Sequence, residues 1–130
     1  MKQTVWAMVL SAGLLALGYA SMPSAGAQAA ACGGKGQPSC PLQGWMEKEM
    51  DPLVEKGDTK GLAVAFQKVV KFAPDPAWNT GDQGWAAIAK AGEAAAAKGD
   101  LAAAKATCKT CHKAFRDKYK KSFRTQPLPK

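Results

Sequence analysis

Three residues stand at a spacing that can do chemistry: Cys108, Cys111 and His112, within Cys108-Lys109-Thr110-Cys111-His112. Cys-x-x-Cys-His is the attachment pattern for haem c. The two thiols add to the two vinyl groups of the porphyrin, which fixes the iron beside the chain. On a helix, steps of three and four carry all three side chains to one face. The same segment then tethers the ring and ligates its iron, with His112 as the proximal ligand. The second imidazole nitrogen is left for an outer hydrogen bond that tunes the metal. One motif predicts one covalent haem c. Because His112 is the sole histidine, an iron held by two histidines of one chain is excluded.

Other chemistries compete for the same thiols. A structural zinc wants four ligands, and one His with no second Cys-x-x-Cys falls short of that set. A thioredoxin-type redox pair sits at a helix start after a strand, whereas this motif lies inside an Ala-rich helical stretch. A disulfide between Cys108 and Cys111 suits helical geometry poorly. The other two cysteines, Cys32 and Cys40, enclose a Gly- and Pro-containing segment. In an oxidising compartment a disulfide between them is the default. Lipidation of Cys32 is the other reading, although Ala29-Ala30-Ala31 lacks the large aliphatic residue such sites carry.

Residues 1–31 read as a secretory signal. Lys2 gives the positive start, Val5 to Ala20 are almost wholly apolar, and Pro23 breaks the run before a small-residue stretch. Cleavage is expected after Ala27 or, second, after Ala31. An uncleaved anchor is the competing reading, but the apolar run is short for a span. The protein is therefore expected to be exported to the periplasm and soluble, with membrane association only through an anchor or lipid. Haem is attached to such motifs outside the cytoplasm, so export and motif agree.

The positioning elements follow from punctuation and period. Lys56-Gly57-Asp58 and Lys98-Gly99-Asp100 are near copies. In each, Gly suits the left-handed end of one helix and Asp caps the next. Between them Ala73-Pro74-Asp75-Pro76 cannot continue a helix. Helices are predicted from Pro41 with Pro52 bending or shortening the first, then over about 59–72, 82–97 and 101–123, each with apolar steps of three and four. The first stacks Leu42, Trp45, Met46, Glu49, Met50 and Leu53 near one side. Two hairpins joined by a longer connection give an all-α fold, a short antiparallel four-helix bundle. The domain spans 41–130, preceded by a Cys-containing segment, 32–40. Two punctuation marks are too few for a helical-repeat solenoid.

The formal charge is +8. Lys105, Lys109, Lys113, Arg116, Lys118, Lys120, Lys121, Arg124 and Lys130 crowd the last helix and tail, whereas Glu47, Glu49, Asp51, Glu55 and Asp58 make the first helix acidic. A basic run is either a solvated helix face or a docking surface for an acidic redox partner. An exported chain without a recognised binding motif is a poor candidate for nucleic acid.

In the commonest small cytochromes c the motif lies near the N-terminus and a downstream methionine closes the haem. Here 18 residues follow His112 and none is Met, so a distal protein ligand has to come from upstream. At this point the chain resembles class II cytochromes c, the bundle family of cytochrome c-prime and its low-spin, methionine-ligated relatives. The likeness covers roughly residues 41–124. It is most specific in the final helix, where Cys-x-x-Cys-His-x-x-aromatic-Arg is met by Cys108, Cys111, His112, Phe115 and Arg116. The bundle is shorter than the family's, and the segment Cys32 to Cys40 is additional. The resemblance implies that the first helix faces the open side of the haem. Met46 is then the favoured distal ligand, since Leu42-x-x-Trp45-Met46 resembles the family's ligand-bearing segment. Met50 is the alternative, and both Met residues also suit an apolar core. Phe115 is expected beside the proximal face, and Arg116 either on a haem propionate or in solvent. Of Trp45, Phe66, Trp78 and Trp85, one or two are expected to touch the cofactor.

These readings predict an electron carrier and not an enzyme, a monomer or homodimer. A five-coordinate, gas-binding protein of the cytochrome c-prime kind is the alternative. A haem-free helical module with its cysteines in disulfides is the third.

Overall fold

The computed structural model describes residues 31–130. All but the last residue of the expected signal segment therefore lies outside the described residues. The described chain is all-helical: four helices and no strand. None of them is long and apolar enough to cross a membrane.

Helix α1 is built of three consecutive segments, an α-helix Pro41–Trp45, a π-helical turn Met46–Met50 and an α-helix Asp51–Lys56. Pro41 suits a helix start, where its missing N–H is not needed. Pro52 is harder to place, because its ring would strike the carbonyl of Lys48 in a regular helix. The chain relieves this by widening the preceding turn, so that the Asp51 N–H bonds the Met46 carbonyl. Instead of a kink or a stop, Pro52 produces a π turn.

The two Gly-Asp marks behave as their chemistry dictates. Gly57 at φ +67° and Gly99 at φ +77° end α1 and the helix Trp85–Ala97 in the left-handed region. Asp58 then accepts from the Gly61 N–H at 2.9 Å and Asp100 from the Ala103 N–H at 2.8 Å. These caps open α2, Thr59–Val69, and α4, Leu101–Ser122.

Two helix ends fall inside the expected bounds. Helix α2 stops at Val69 rather than 72, because Lys71 and Phe72 turn more tightly onto the carbonyls of Lys68 and Val69 ahead of Pro74. Helix α3, Trp85–Ala97, starts at Trp85 rather than 82. Residues 81–84 close a turn of their own, with Gly84 N–H on the Gly81 carbonyl at 3.1 Å. The connection before it holds a 3-10 turn, Pro76–Asn79, capped by Asp75.

Helices α2, α3 and α4 pack closely in sequence. Gly92 lets α3 approach α2 so tightly that a Cβ there would lie 2.5 Å from Cε1 of Phe66. Leu62, Ala65, Ile88, Ala89, Ala96 and Ala104 complete this buried seam. The indole of Trp85 donates to the Val69 carbonyl at 2.6 Å, satisfying the end of α2. Trp78 stacks on Phe115 with ring centroids 5.1 Å apart, which brings the 3-10 turn onto α4. Helix α1 packs on its neighbour α2 but makes no comparable approach to α4.

Candidate functional site

The gap between α1 and α4 is a cavity of about 930 Å³, within the size range of cofactor pockets. Both cysteines and the histidine of the Cys-x-x-Cys-His motif line it. Cys108, Cys111 and His112 leave α4 on one wall, followed one turn later by Phe115 and Arg116. An uninterrupted α-helix of 22 residues carries them, and that regularity is what keeps the steps of three and four on one face.

The thiols of Cys108 and Cys111 are free and half-buried. Burial pushes Cys108 up from its ordinary value, and burial together with the neighbouring Cys108 pushes Cys111 up to about 11. Both are thiols at neutral pH, the opposite of the lowered pKa that marks a thioredoxin-type nucleophile. His112 is exposed on its outer side while lining the cavity, and its Nδ1 lies 3.2 Å from Nη2 of Arg116. Partial burial by the cavity walls, and then the Arg116 guanidinium, lower its pKa, while Asp51 across the gap opposes them. The neutral imidazole that can ligate a metal is therefore the prevailing form at neutral pH. Arg116 thus faces its own helix's histidine as well as the cavity. Among the described residues no three His, Cys, Asp or Glu side chains gather in the manner of a metal-ion site.

The opposite wall is α1, which presents Leu42, Met46, Met50 and Val54. Met50 is buried and Met46 half-buried. The disturbance made by Pro52 does not separate the two methionines, because the π turn runs from Met46 to Met50 and both side chains line the cavity. The floor is apolar: Phe66 and Val69 of α2, and Trp85, Ile88 and Ala89 of α3. Of the four aromatic residues considered from sequence, Phe66 and Trp85 reach the cavity. Trp45 turns away to meet Phe72 edge-on at 4.9 Å, and Trp78 lies behind Phe115. Phe115 is buried between that indole and the cavity.

The disulfide between Cys32 and Cys40 is formed, with Cα atoms 4.9 Å apart. Gly33 and Cys40 also line the cavity, as do Tyr119 and Arg124. In the sequence Arg124 is one basic residue among many, and nothing there marks the disulfide loop as part of the site. Arg124 donates to the Cys32 carbonyl, and no local pattern signals a contact between the two ends of the domain. Five cations, Lys105, Lys109, Arg116, Lys120 and Arg124, border the cavity from α4 and its end, against Glu47 and Asp51 from α1.

The donor set suits a covalently held haem c: two free neutral thiols and a neutral imidazole on one wall, an apolar floor, and thioethers on the facing wall. None of the protein-family models, curated proteins or solved structures compared with the chain matches it.

Proposed function

We propose that the chain is an exported, mono-haem c-type cytochrome of the class II kind, a short antiparallel bundle that carries electrons. The observation that carries this reading is the cavity itself. It sets Cys108, Cys111 and His112 on α4 opposite Met46 and Met50 on α1, over an apolar floor. Haem c supplies a one-electron iron couple when bound. The chain's residues do the rest. Cys108 and Cys111 would tether the ring and His112 would ligate the iron from their side. Met46 would ligate it from α1, with Met50 one turn on as its alternative. Phe66, Val69, Trp85 and Ile88 exclude water from the buried side, which lowers the dielectric around the iron and favours its less charged state. Arg116 would serve either a propionate or the His112 ring, against which its guanidinium already lies. Two protein ligands held on separate helices leave no open place for a substrate.

The cations bordering the cavity make its mouth a docking surface for an acidic redox protein. Electron transfer to that partner is expected to slow as ionic strength rises, because exposed charges are screened within about 8–10 Å at physiological salt.

The deciding experiment is a pyridine haemochrome assay on protein exported from a host with a haem c attachment system. A c-type band lost in Cys111→Ala is expected, and its absence from the unaltered protein ends the haem reading. Visible spectra then separate the carrier from a gas-binding protein. A weak far-red methionine–iron band that disappears in Met46→Ala supports the carrier. A high-spin spectrum with fast carbon monoxide binding overturns it. A band that survives Met46→Ala and vanishes in Met50→Ala moves the ligand by one turn.

A further inference from the structure

We propose that the Cys32–Cys40 loop and Arg124 form a latch, a set of positioning residues that fixes α1 at its distance from α4 and so controls access to the cavity between them. The proposal rests on the haem reading for its consequence but not for its geometry.

Helix α1 is held to α2 by sequence and by packing but meets α4 only sparsely, at Leu42 beside Tyr119. So sparse a contact leaves the width of the gap to other links. Cys40 is the residue that precedes α1, and its disulfide to Cys32 ties the loop to the helix start. The bridge is enclosed, with Cys32 6 % and Cys40 3 % exposed. The loop has internal bonds of its own, from the Gly33 N–H to the Pro38 carbonyl at 2.8 Å and from the Gln37 N–H to the Gly34 carbonyl at 3.0 Å. It is a stiff piece rather than a slack tail. On the far side, the Arg124 guanidinium donates to the Cys32 carbonyl. The Tyr119 hydroxyl donates to the Arg124 carbonyl at 3.0 Å, which returns the link to α4. The connection therefore runs from the start of α1, through the disulfide and Arg124, to the last turn of α4. Gly33, Cys40, Tyr119 and Arg124 all line the cavity. A link that crosses a gap and borders its space sets the width of that space.

The consequence is chemical. With the latch closed, the methionines of α1 stay within reach of a group held by α4. With it open, α1 moves out and a small external ligand competes more easily for the iron.

The test uses exported full-length protein whose haem content is measured first. Three variants grade the latch: Cys32→Ser with Cys40→Ser, Arg124→Ala and Tyr119→Phe. Hydrogen exchange in α1 is expected to rise in all three while exchange in α3 does not. Carbon monoxide is expected to bind the reduced protein several-fold faster, most in the double-serine variant and least in Tyr119→Phe. Arg124→Lys, which keeps a donor, is expected to restore part of both effects. Unchanged α1 exchange and unchanged carbon monoxide binding in Arg124→Ala, at full haem content, overturn the latch and leave the haem reading standing. Arg124→Ala also keeps the test decisive if the double-serine variant does not fold. If the unaltered protein shows no haemochrome, the haem reading fails, and the exchange measurement alone decides whether the latch holds α1.

Discussion

The two walls of the cavity are made differently. Helix α4 runs 22 residues without interruption, begins on an Asp cap and buries Ala104 and Phe115 against its neighbours. Helix α1 is shorter, starts without a side-chain cap, and changes from α to π and back around Pro52. One wall is basic and the other acidic. The wall that has to keep three side chains in register is the regular one, because Cys108, Cys111 and His112 share a face only while 3.6 residues make a turn. On the proposed haem reading the wall opposite offers a thioether across a gap, and a wide turn in that helix is no handicap. π turns are in fact frequent at functional sites. A gap of this kind also leaves one half of the domain well packed and the other dependent on what fills it.

That contrast can be broken or sharpened by substitution. The largest effect is expected on the packed side. Leu62 is 1 % exposed, and Leu62→Ala should lower unfolding free energy by about 2–5 kcal/mol, read from denaturant titration. Met46→Ala, on a half-buried side chain facing the cavity, should cost clearly less; an equal loss would mean that the two halves are packed alike. Gly92→Ala comes next. Its methyl group would meet the Phe66 ring, and such overpacking costs about 1–3 kcal/mol. An unchanged midpoint would show that the α2–α3 seam can spread.

Asp100→Ala removes the cap of the regular wall and should cost about 1 kcal/mol. Pro52→Ala addresses the irregular wall. Restoring an N–H and removing the ring should let Met46–Met50 return to α geometry. The expected sign is a more stable helix, seen as gain of helical circular dichroism and, on the proposed haem reading, loss or shift of the methionine–iron band. A stabler helix with an unaltered band would show that the π turn does not set the methionines' positions.

The smallest effect belongs to Glu47, which is fully exposed. Hydrogen bonds from Ser39, first, and then Gln43 hold its carboxyl below the ordinary value. Stability from this group is present above the ordinary carboxylate pKa and is lost as pH falls through the lowered one. An NMR titration of Glu47 should give a midpoint below that of a free glutamate, and Ser39→Ala should move it upward.

Much of this was legible because it is local. Gly57-Asp58 and Gly99-Asp100 specify a left-handed stop and a cap within three residues, so their turns could be written from sequence. The cysteine-histidine face is likewise fixed by spacing alone. The ends of α2 and the start of α3 were less legible. Val70 and Phe72 continue the apolar steps of the helix although Val and Phe are weak helix formers, and the tighter turn of Lys71 and Phe72 ahead of Pro74 ends it. The response to Pro52 was hidden for a related reason: a kink, a stop and a π turn all relieve the same clash, and packing chooses among them.

Which atoms can do the chemistry is written in the sequence: two thiols and one imidazole at helical spacing and two methionines upstream, with Cys32 and Cys40 near enough to pair. Local rules of period, capping and turn residues sufficed for that. Tertiary structure decided that the thiols and the methionines face one another across a single cavity, and that Arg124 reaches Cys32 at the other end of the domain. Contacts between residues so distant in sequence leave no periodic trace. They arise from how helices pack, and here from where two helices stand apart.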